Sequence, residues 1–318
     1  MLCSPLGDSM GIERSELQGW MSLIGAGGEG RVYSTEFRLP GDSTALAYKE
    51  YIQPADSERS AEAAVQFWQG LGQDERDFLG RHAAWPRELV LSRGAVSGIL
   101  MPLYRREFYF LWQDPGTGEM GLRNREFYWL AMDAAYRQAR KADIRLEDRV
   151  ERLSLLAQLA GAIAFLHERG WVFGNISDRN AMYALDPARL MLIDCDGAAS
   201  IRDIHRWQGH MPGWVPPECH DGPSRQVLQD DVTDVYKLGL AVLRGMSGKL
   251  EATDPGKLKG QLDQDGLFLV SCALSPDRLM RPSAREIAHY LERQLPAQLT
   301  ERAVPHTAAP GPGPLPVT

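Results

Sequence analysis

Phe173-Gly174-Asn175-Ile176-Ser177-Asp178-Arg179-Asn180, and after it Leu190-Met191-Leu192-Ile193-Asp194-Cys195-Asp196-Gly197, set an asparagine-bearing turn ahead of an apolar strand that ends in two carboxylates. One acidic residue closing a strand is commonplace. The ordered pairing of Asn180 with Asp194 is less so, and a strong helical signature precedes it. Leu153, Leu156, Ala160, Ile163 and Leu166 recur along one face of Arg149–Arg169, which predicts an amphipathic helix that stops at Gly170.

Downstream, helices are predicted at Asp231–Met246, Lys257–Leu274 and Ser283–Gln294, the last with Ser283 as N-cap and Glu286 completing a capping box. Upstream the pattern is different. Short β-like runs at Met21–Ile24, Arg31–Arg38, Ala45–Tyr51, Leu89–Leu91 and Gly98–Leu103 alternate with glycine-rich turns. Ala61, Ala64, Val65 and Trp68 fall at helical spacing within Asp56–Gly70, so a five-stranded sheet with one helix is expected. Arg105–Asp148 is longer than an ordinary connection and carries aromatic stretches around Phe108–Trp112 and Phe127–Trp129, which predicts one or two helices there. From Pro296 the composition falls to Ala, Pro, Gly and Thr, which cannot build a core.

At 318 residues the chain suits two packed lobes better than one compact core. Its hydrophobic share of 44% and charged share of 24% are ordinary for globular proteins. A formal net charge of -7 speaks against nucleic acid as a partner, because phosphate backbones reward a clustered basic face. Cys3, Cys195, Cys219 and Cys272 are scattered without a CxxC pair, as expected of free thiols in a reducing cytosol. No apolar run is expected to reach the ~20 residues that span a bilayer, and the N-terminus has no signal-peptide pattern, so a cytoplasmic location without membrane partners is expected.

Gly25-Ala26-Gly27-Gly28-Glu29-Gly30 is a GxGxxG, weak evidence by itself. Here Arg31-Val32-Tyr33, a turn at Pro40-Gly41-Asp42 and a second strand bearing Lys49 follow it, so the loop joins two antiparallel strands and does not open a helix. Such glycines let backbone amides approach phosphate oxygens with no Cβ in the way. A flexible hairpin tip with a surface lysine is the bland alternative. Strand alternation puts Lys49 on the side of Ala45 and Ala47, and Glu62 in the following helix is the best-placed carboxylate to fix it, ahead of Glu58 and Glu75.

Taken in order across residues 25 to 282, these segments resemble the motifs of protein kinases, and the chain is similar to bacterial Ser/Thr-type members. The resemblance implies an α+β, bilobal fold: a small antiparallel β-sheet lobe with one helix at 1–103, and a larger, mainly helical lobe at 104–295 with an elaborated hinge insert at 105–148. The Pro/Gly-rich stretch 296–318 would be a tail or linker. It further implies an ATP site formed by Gly25, Gly27, Gly30, Val32, Lys49, Glu62 and Met101, with Lys49 facing the α and β phosphates. Mg²⁺, or Mn²⁺, would be held by Asn180, Asp194 and Asp196.

The resemblance also exposes departures. Asn175 stands where the family has its proton-accepting aspartate, Ser177 where it has a lysine, and Phe173-Gly174 where it has His-Arg. An amide orients a hydroxyl but takes up no proton near neutrality; Asp178 is the substitute base to consider. Trp214-Val215-Pro216-Pro217-Glu218 resembles the Ala-Pro-Glu end of the activation segment, and Arg281-Pro282-Ser283 the arginine that pairs with that glutamate. Asp234, in Asp231-Val232-Thr233-Asp234-Val235-Tyr236-Lys237-Leu238-Gly239, would bond the catalytic-loop backbone. Ser200 is the only hydroxyl residue between Asp194 and Glu218, so no phosphorylation switch is expected. His205, His210, Cys219 and His220 fit no compact zinc pattern. The expected function is a pseudokinase that binds Mg-ATP and acts on an unidentified protein partner as scaffold or regulator. A weak working Ser/Thr kinase that phosphorylates a protein substrate, or an interaction module without nucleotide, are the alternatives.

Overall fold

Alternation in the first hundred residues yields a six-stranded sheet in the order β1-β5-β6-β4-β3-β2. Its strands are β1 (Ile12–Glu13), β2 (Met21–Ala26), β3 (Gly30–Thr35), β4 (Leu46–Tyr51), β5 (Glu88–Ser92) and β6 (Ala95–Pro102). The computed structural model describes residues 11–296, apart from 18, 20, 115, 141–147, 207 and 221–226. The expected tail at 296–318 therefore lies, after its first residue, outside the described residues. Between β4 and β5 run two helices, α1 (Pro54–Gly70) and α2 (Gln73–His82).

β1 and α2 are additions to the five strands and one helix expected from the pattern. β1 has two residues and pairs in parallel with β5 through Ile12 and Val90, too short a run to show a period. α2 buries only Leu79 among its own residues, so no apolar stripe marks it; the Glu75 carboxylate caps it by accepting from the Gly72 N–H at 2.9 Å. On β4 the two faces separate cleanly. Leu46 and Tyr48 pack with Leu17, Val90 and Leu100, whereas Ala47 and Tyr51 pack with Ala61 and Val65 of α1 and with Ile99 and Met101 of β6. By alternation Lys49 belongs to the face beneath α1.

The stretch read as a hinge insert differs from its expectation. It opens with a β-hairpin, β7 (Tyr109–Gln113) against β8 (Met120–Asn124), and only then gives two short helices, α3 (Phe127–Leu130) and α4 (Ala134–Ala139). The aromatic run is period-two, not helical: Phe110 is buried edge-on to Trp129 while its neighbour Leu111 is exposed. Asp114 closes the turn by accepting from the N–H groups of Gly116 at 2.7 Å and Thr117 at 2.9 Å.

The larger lobe is built on α5 (Arg149–His167), capped by Asp148 and followed by Gly170 at φ +71. Short strands β9 (Trp171–Val172), β10 (Ala181–Ala184), β11 (Arg189–Leu192) and β12 (Ala199–Ser200) carry the loops of the site. α6 (Asp231–Ser247), α7 (Gln264–Ala273) and α8 (Ala284–Arg293) complete it, α8 starting with the anticipated Ser283–Glu286 capping box. The helix anticipated over Lys257–Leu274 is shorter, because Gly260 sits at φ +81 and the Asp263 side chain starts a new helix by accepting from Gly266 N at 2.9 Å. α5 also corrects the expectation about apolar runs. It has 19 residues at a mean hydropathy of 1.2, long and apolar enough to cross a membrane, but 67% of that span is buried inside the molecule.

One core runs through both lobes. Ala64, Leu79 and Trp85 share it with Leu156, Ile163, Trp171 and Leu238. Phe67, Trp85 and Trp171 pack against one another, tilted or edge-on, with centroids 4.7–5.5 Å apart.

Candidate functional site

The glycine-rich loop links β2 to β3 as an antiparallel turn, Gly27 N–H donating to Gly30 O at 2.9 Å. Gly30 is required by packing: a Cβ there would lie 2.5 Å from the carbonyl oxygen of Glu50 on β4. A Cβ at Gly27 or Gly28 would meet open space, so a ligand could approach this turn without a side chain in the way. Val32 is half-buried and paired with Lys49 across the ladder; Met101 is buried opposite Ala47.

Lys49 is 4% exposed, and its ammonium meets Asp196 at 2.9 Å, Asp194 at 3.4 Å and Glu29 at 3.5 Å. Burial alone would lower its pKa. Attraction to Asp196 and then Asp194 outweighs that and holds it above the ordinary lysine value. The pair anticipated with Glu62 is not formed, and Glu62 makes no ion pair among the described residues. Nor does either competitor replace it. Glu75 is taken by Arg169 at 2.6 Å, and Glu58 makes no ion pair among the described residues. The partner lies instead in the turn after β11, where Asp194 takes a left-handed conformation at φ 54 and Cys195–Gly197 form a single 3-10 turn.

Asn180 and Asp194 are held together by backbone, Ile193 N–H donating to Asn180 O at 3.0 Å. The Asn180 side-chain N–H donates to Asn175 O at 2.9 Å, which leaves the side-chain oxygen Oδ1 of Asn180 without a partner among the described residues. Asp194 has a side chain 49% exposed, against 7% for Asp196. A free amide oxygen beside an accessible carboxylate is a hard-oxygen set that suits Mg²⁺. Charge points the same way, since one ammonium faces three carboxylates and the surplus is negative. The residues present therefore fit a metal-nucleotide.

The side of the site at Asn175 is different. Asn175 keeps its amide oxygen buried with no hydrogen-bond partner. Asp178 is buried and occupied: Trp214 Nε1–H donates to its carboxylate at 2.8 Å, and Arg179 lies 3.5 Å away. Ser177 is buried and accepts from Arg179 N.

Asp234 binds the backbone of the Asn175 loop as anticipated, accepting from Phe173 N at 2.8 Å, Gly174 N at 2.9 Å, and facing His167 at 3.2 Å. Glu218 takes a forked pair from Arg281 at 2.7 and 2.8 Å, and Arg278 adds a third contact at 2.8 Å. Burial would raise the Glu218 carboxyl, but hydrogen bonds from Arg281 and the charge of both arginines leave it below its usual value.

Four residues escaped the sequence pattern: Glu29 on Lys49, and the buried trio Gln208, Gln229 and Lys237. Gln208 Nε2 donates to Val172 O, Phe173 O and Gly197 O, so it ties the Asn175 loop to the Asp196 turn. Gln229 donates to Gln208 O and Gly209 O, and Lys237 donates to Gly174 O and Gln229 Oε1. A lysine inside the buried face of α6 was the available signal. Among the described residues no cluster of His, Cys, Asp and Glu could hold a metal by itself. A surface cavity of about 430 Å³ lined by Asp42, Trp68, Arg76 and Arg87 includes none of these groups.

No family model and no curated protein matches the chain. Solved structures do. The kinase domain of Mycobacterium tuberculosis PknI superposes with a TM-score of 0.54 at 20% identity, over 86% of this chain and 94% of that one. A double-mutant form of the same domain gives 0.54 at 18%, over 86% and 95%, and another gives 0.52 at 21% over the same shares. At these identities the likeness is one of fold. With the glycine turn and Lys49 in a β-sheet lobe, and the Asn180 and Asp194 turns at the head of a helical one, the chain has the bilobal protein-kinase fold.

Proposed function

We propose that this protein binds Mg-ATP between the glycine turn and the Asp194 turn, and that it regulates a protein partner while transferring phosphate weakly or not at all. The observation that carries the reading is the contrast within one site. Lys49, Asn180 and Asp194 are assembled with a free amide oxygen and an accessible carboxylate, while Asn175 offers no base and Asp178 is tied to Trp214.

In that site Lys49 supplies a point charge to phosphate oxygens, and Asn180 with Asp194 holds the metal that the nucleotide brings. Bound nucleotide would supply the transferable phosphoryl group. The Asn175 amide can hold an incoming hydroxyl in place but cannot take its proton. A general base contributes roughly 10² to 10⁴ in rate, or about 3 to 5 kcal/mol of barrier. The missing lysine at Ser177 removes a further charge from the transition state, where electrostatics supplies most of the catalysis.

Thermal unfolding with and without Mg-ATP tests the binding half. A ligand that binds only the folded chain raises the melting temperature, by an amount that grows as RT ln(1 + [L]/Kd). No shift at millimolar Mg-ATP would favour an interaction module. Mass spectrometry of self and candidate substrates tests the transfer half, and strong phosphorylation that survives replacement of Asn175 would make the protein a working kinase.

A further inference from the structure

We propose that Asp196 is the positioning residue of Lys49, so that the buried ammonium is set from the turn after β11 and α1 contributes no carboxylate to it. This rests on the nucleotide reading only where ATP is the probe. The placement of Lys49 itself is a property of the ligand-free chain.

Three carboxylates meet the ammonium, but unequally. Glu29 is 78% exposed at 3.5 Å and Asp194 half-exposed at 3.4 Å, so solvent screens both. Asp196 is buried with both carboxylate oxygens engaged at 2.9 Å, where a low local dielectric makes the attraction far stronger. The Tyr51 ring lies 5.9 Å from the ammonium.

α1 has a different task. It packs directly against the Cys195–Gly197 turn, and Ala64 and Cys195 lie in one buried cluster. The helix acts as a wall behind the turn, and Glu62 is left over. The turn itself is fastened to the large lobe: Gly197 O accepts from Gln208, which also holds Val172 O and Phe173 O. Lys49 is thereby wired through Asp196 and Gln208 to the Asn175 loop. Labour is divided between the acids, with Asp196 holding the lysine and the accessible Asp194 left for the metal.

The test is the reactivity of Lys49 in the ligand-free full chain, read as the rate of labelling by an amine-directed reagent at pH 9 and quantified on the Lys49 peptide by mass spectrometry. The wild type labels slowly. Asp196→Asn accelerates labelling by about tenfold, because the ammonium loses the buried carboxylate that holds it at 2.9 Å and swings toward solvent. Asp196→Glu restores protection at least in part, and Glu62→Gln leaves the rate unchanged. Acceleration by Glu62→Gln equal to that of Asp196→Asn overturns the proposal, as does an unchanged rate in Asp196→Asn. If Asp196→Asn unfolds by circular dichroism, Asp196→Glu and Glu62→Gln decide alone: labelling slow in Asp196→Glu and unchanged in Glu62→Gln supports the assignment, and the reverse sinks it. In a parallel Mg-ATP titration Asp196→Asn weakens binding about tenfold and Glu62→Gln changes it less than twofold. A wild type that binds no ATP removes the nucleotide reading and leaves the labelling result standing.

Discussion

On the proposed reading, the Asn175 side chain has the length of an aspartate without its acidity. Its amide oxygen is buried without a donor, so a carboxylate fits the same volume but would have to ionise without a hydrogen bond. Asn175→Asp is therefore expected to raise phosphoryl transfer by about 10², at the low end of the general-base range, because Ser177 still lacks a lysine's charge. Phosphopeptide mass spectrometry checks it, and no gain at all would assign the defect to Ser177 or the cleft. Lys49, Asn180 and Asp194 were legible in the sequence because each is fixed by short covalent spacing to a glycine turn or a strand end. The Lys49 partner was not. Asp196 is separated from it by far more chain than Glu62, and only the left-handed Asp194 and the turn that follows bring it in.

At the scale of elements, the Asn175 loop and the segment after Asp196 are clamped by side-chain amides and one buried amine where a phosphorylated loop would need an arginine. Gly174 makes room for this clamp: it sits at φ +76, and a Cβ would fall 2.3 Å from Gln208 Nε2. Gly174→Ala combines a left-handed penalty with displacement of Gln208 and is expected to cost about 1 to 3 kcal/mol, measurable by urea denaturation. Lys237 supplies a signed test. Burial, only partly offset by Asp234, Cys219 and Glu218, lowers its pKa to about 8, against about 10.4 in an unfolded chain. Between pH 8 and 10 the unfolded chain thus holds more protons, so the contribution of this residue to stability rises with pH in that window and is flat below it. Relative to Lys237→Met, the wild type should gain about 1 to 3 kcal/mol from pH 7.5 to 10. A stability difference that falls over this range would reject the buried amine as its source. Elements with long periods, α1, α5, α6 and α8, were readable in advance. The β7–β8 hairpin and α2 were not, because alternation over five residues and a helix with one buried leucine leave little pattern.

For the whole molecule the division into two lobes describes the chain trace better than the core. Trp85 is fully buried at the junction, donates its indole N–H to Ala64 O at 2.9 Å, and packs on Trp171 of the large lobe and Phe67 of α1. Phe78 of α2 stacks on Phe165 of α5 at 4.9 Å, and Arg169 binds Glu75 beside it. The rear of the small lobe is therefore continuous with the large one, and losing the packing of either exposes this shared junction. Unfolding should be a single transition. Circular dichroism, which weights the helical lobe, and tryptophan fluorescence, which weights the junction, should give coincident urea midpoints. Removing the indole leaves a cavity in the shared core, so Trp85→Ala should cost about 3 to 5 kcal/mol and should lower the whole transition together. Two separated midpoints in the wild type, or a Trp85→Ala variant in which the helical signal keeps its original midpoint, would mean that the lobes are independent units and that the junction only rests one upon the other.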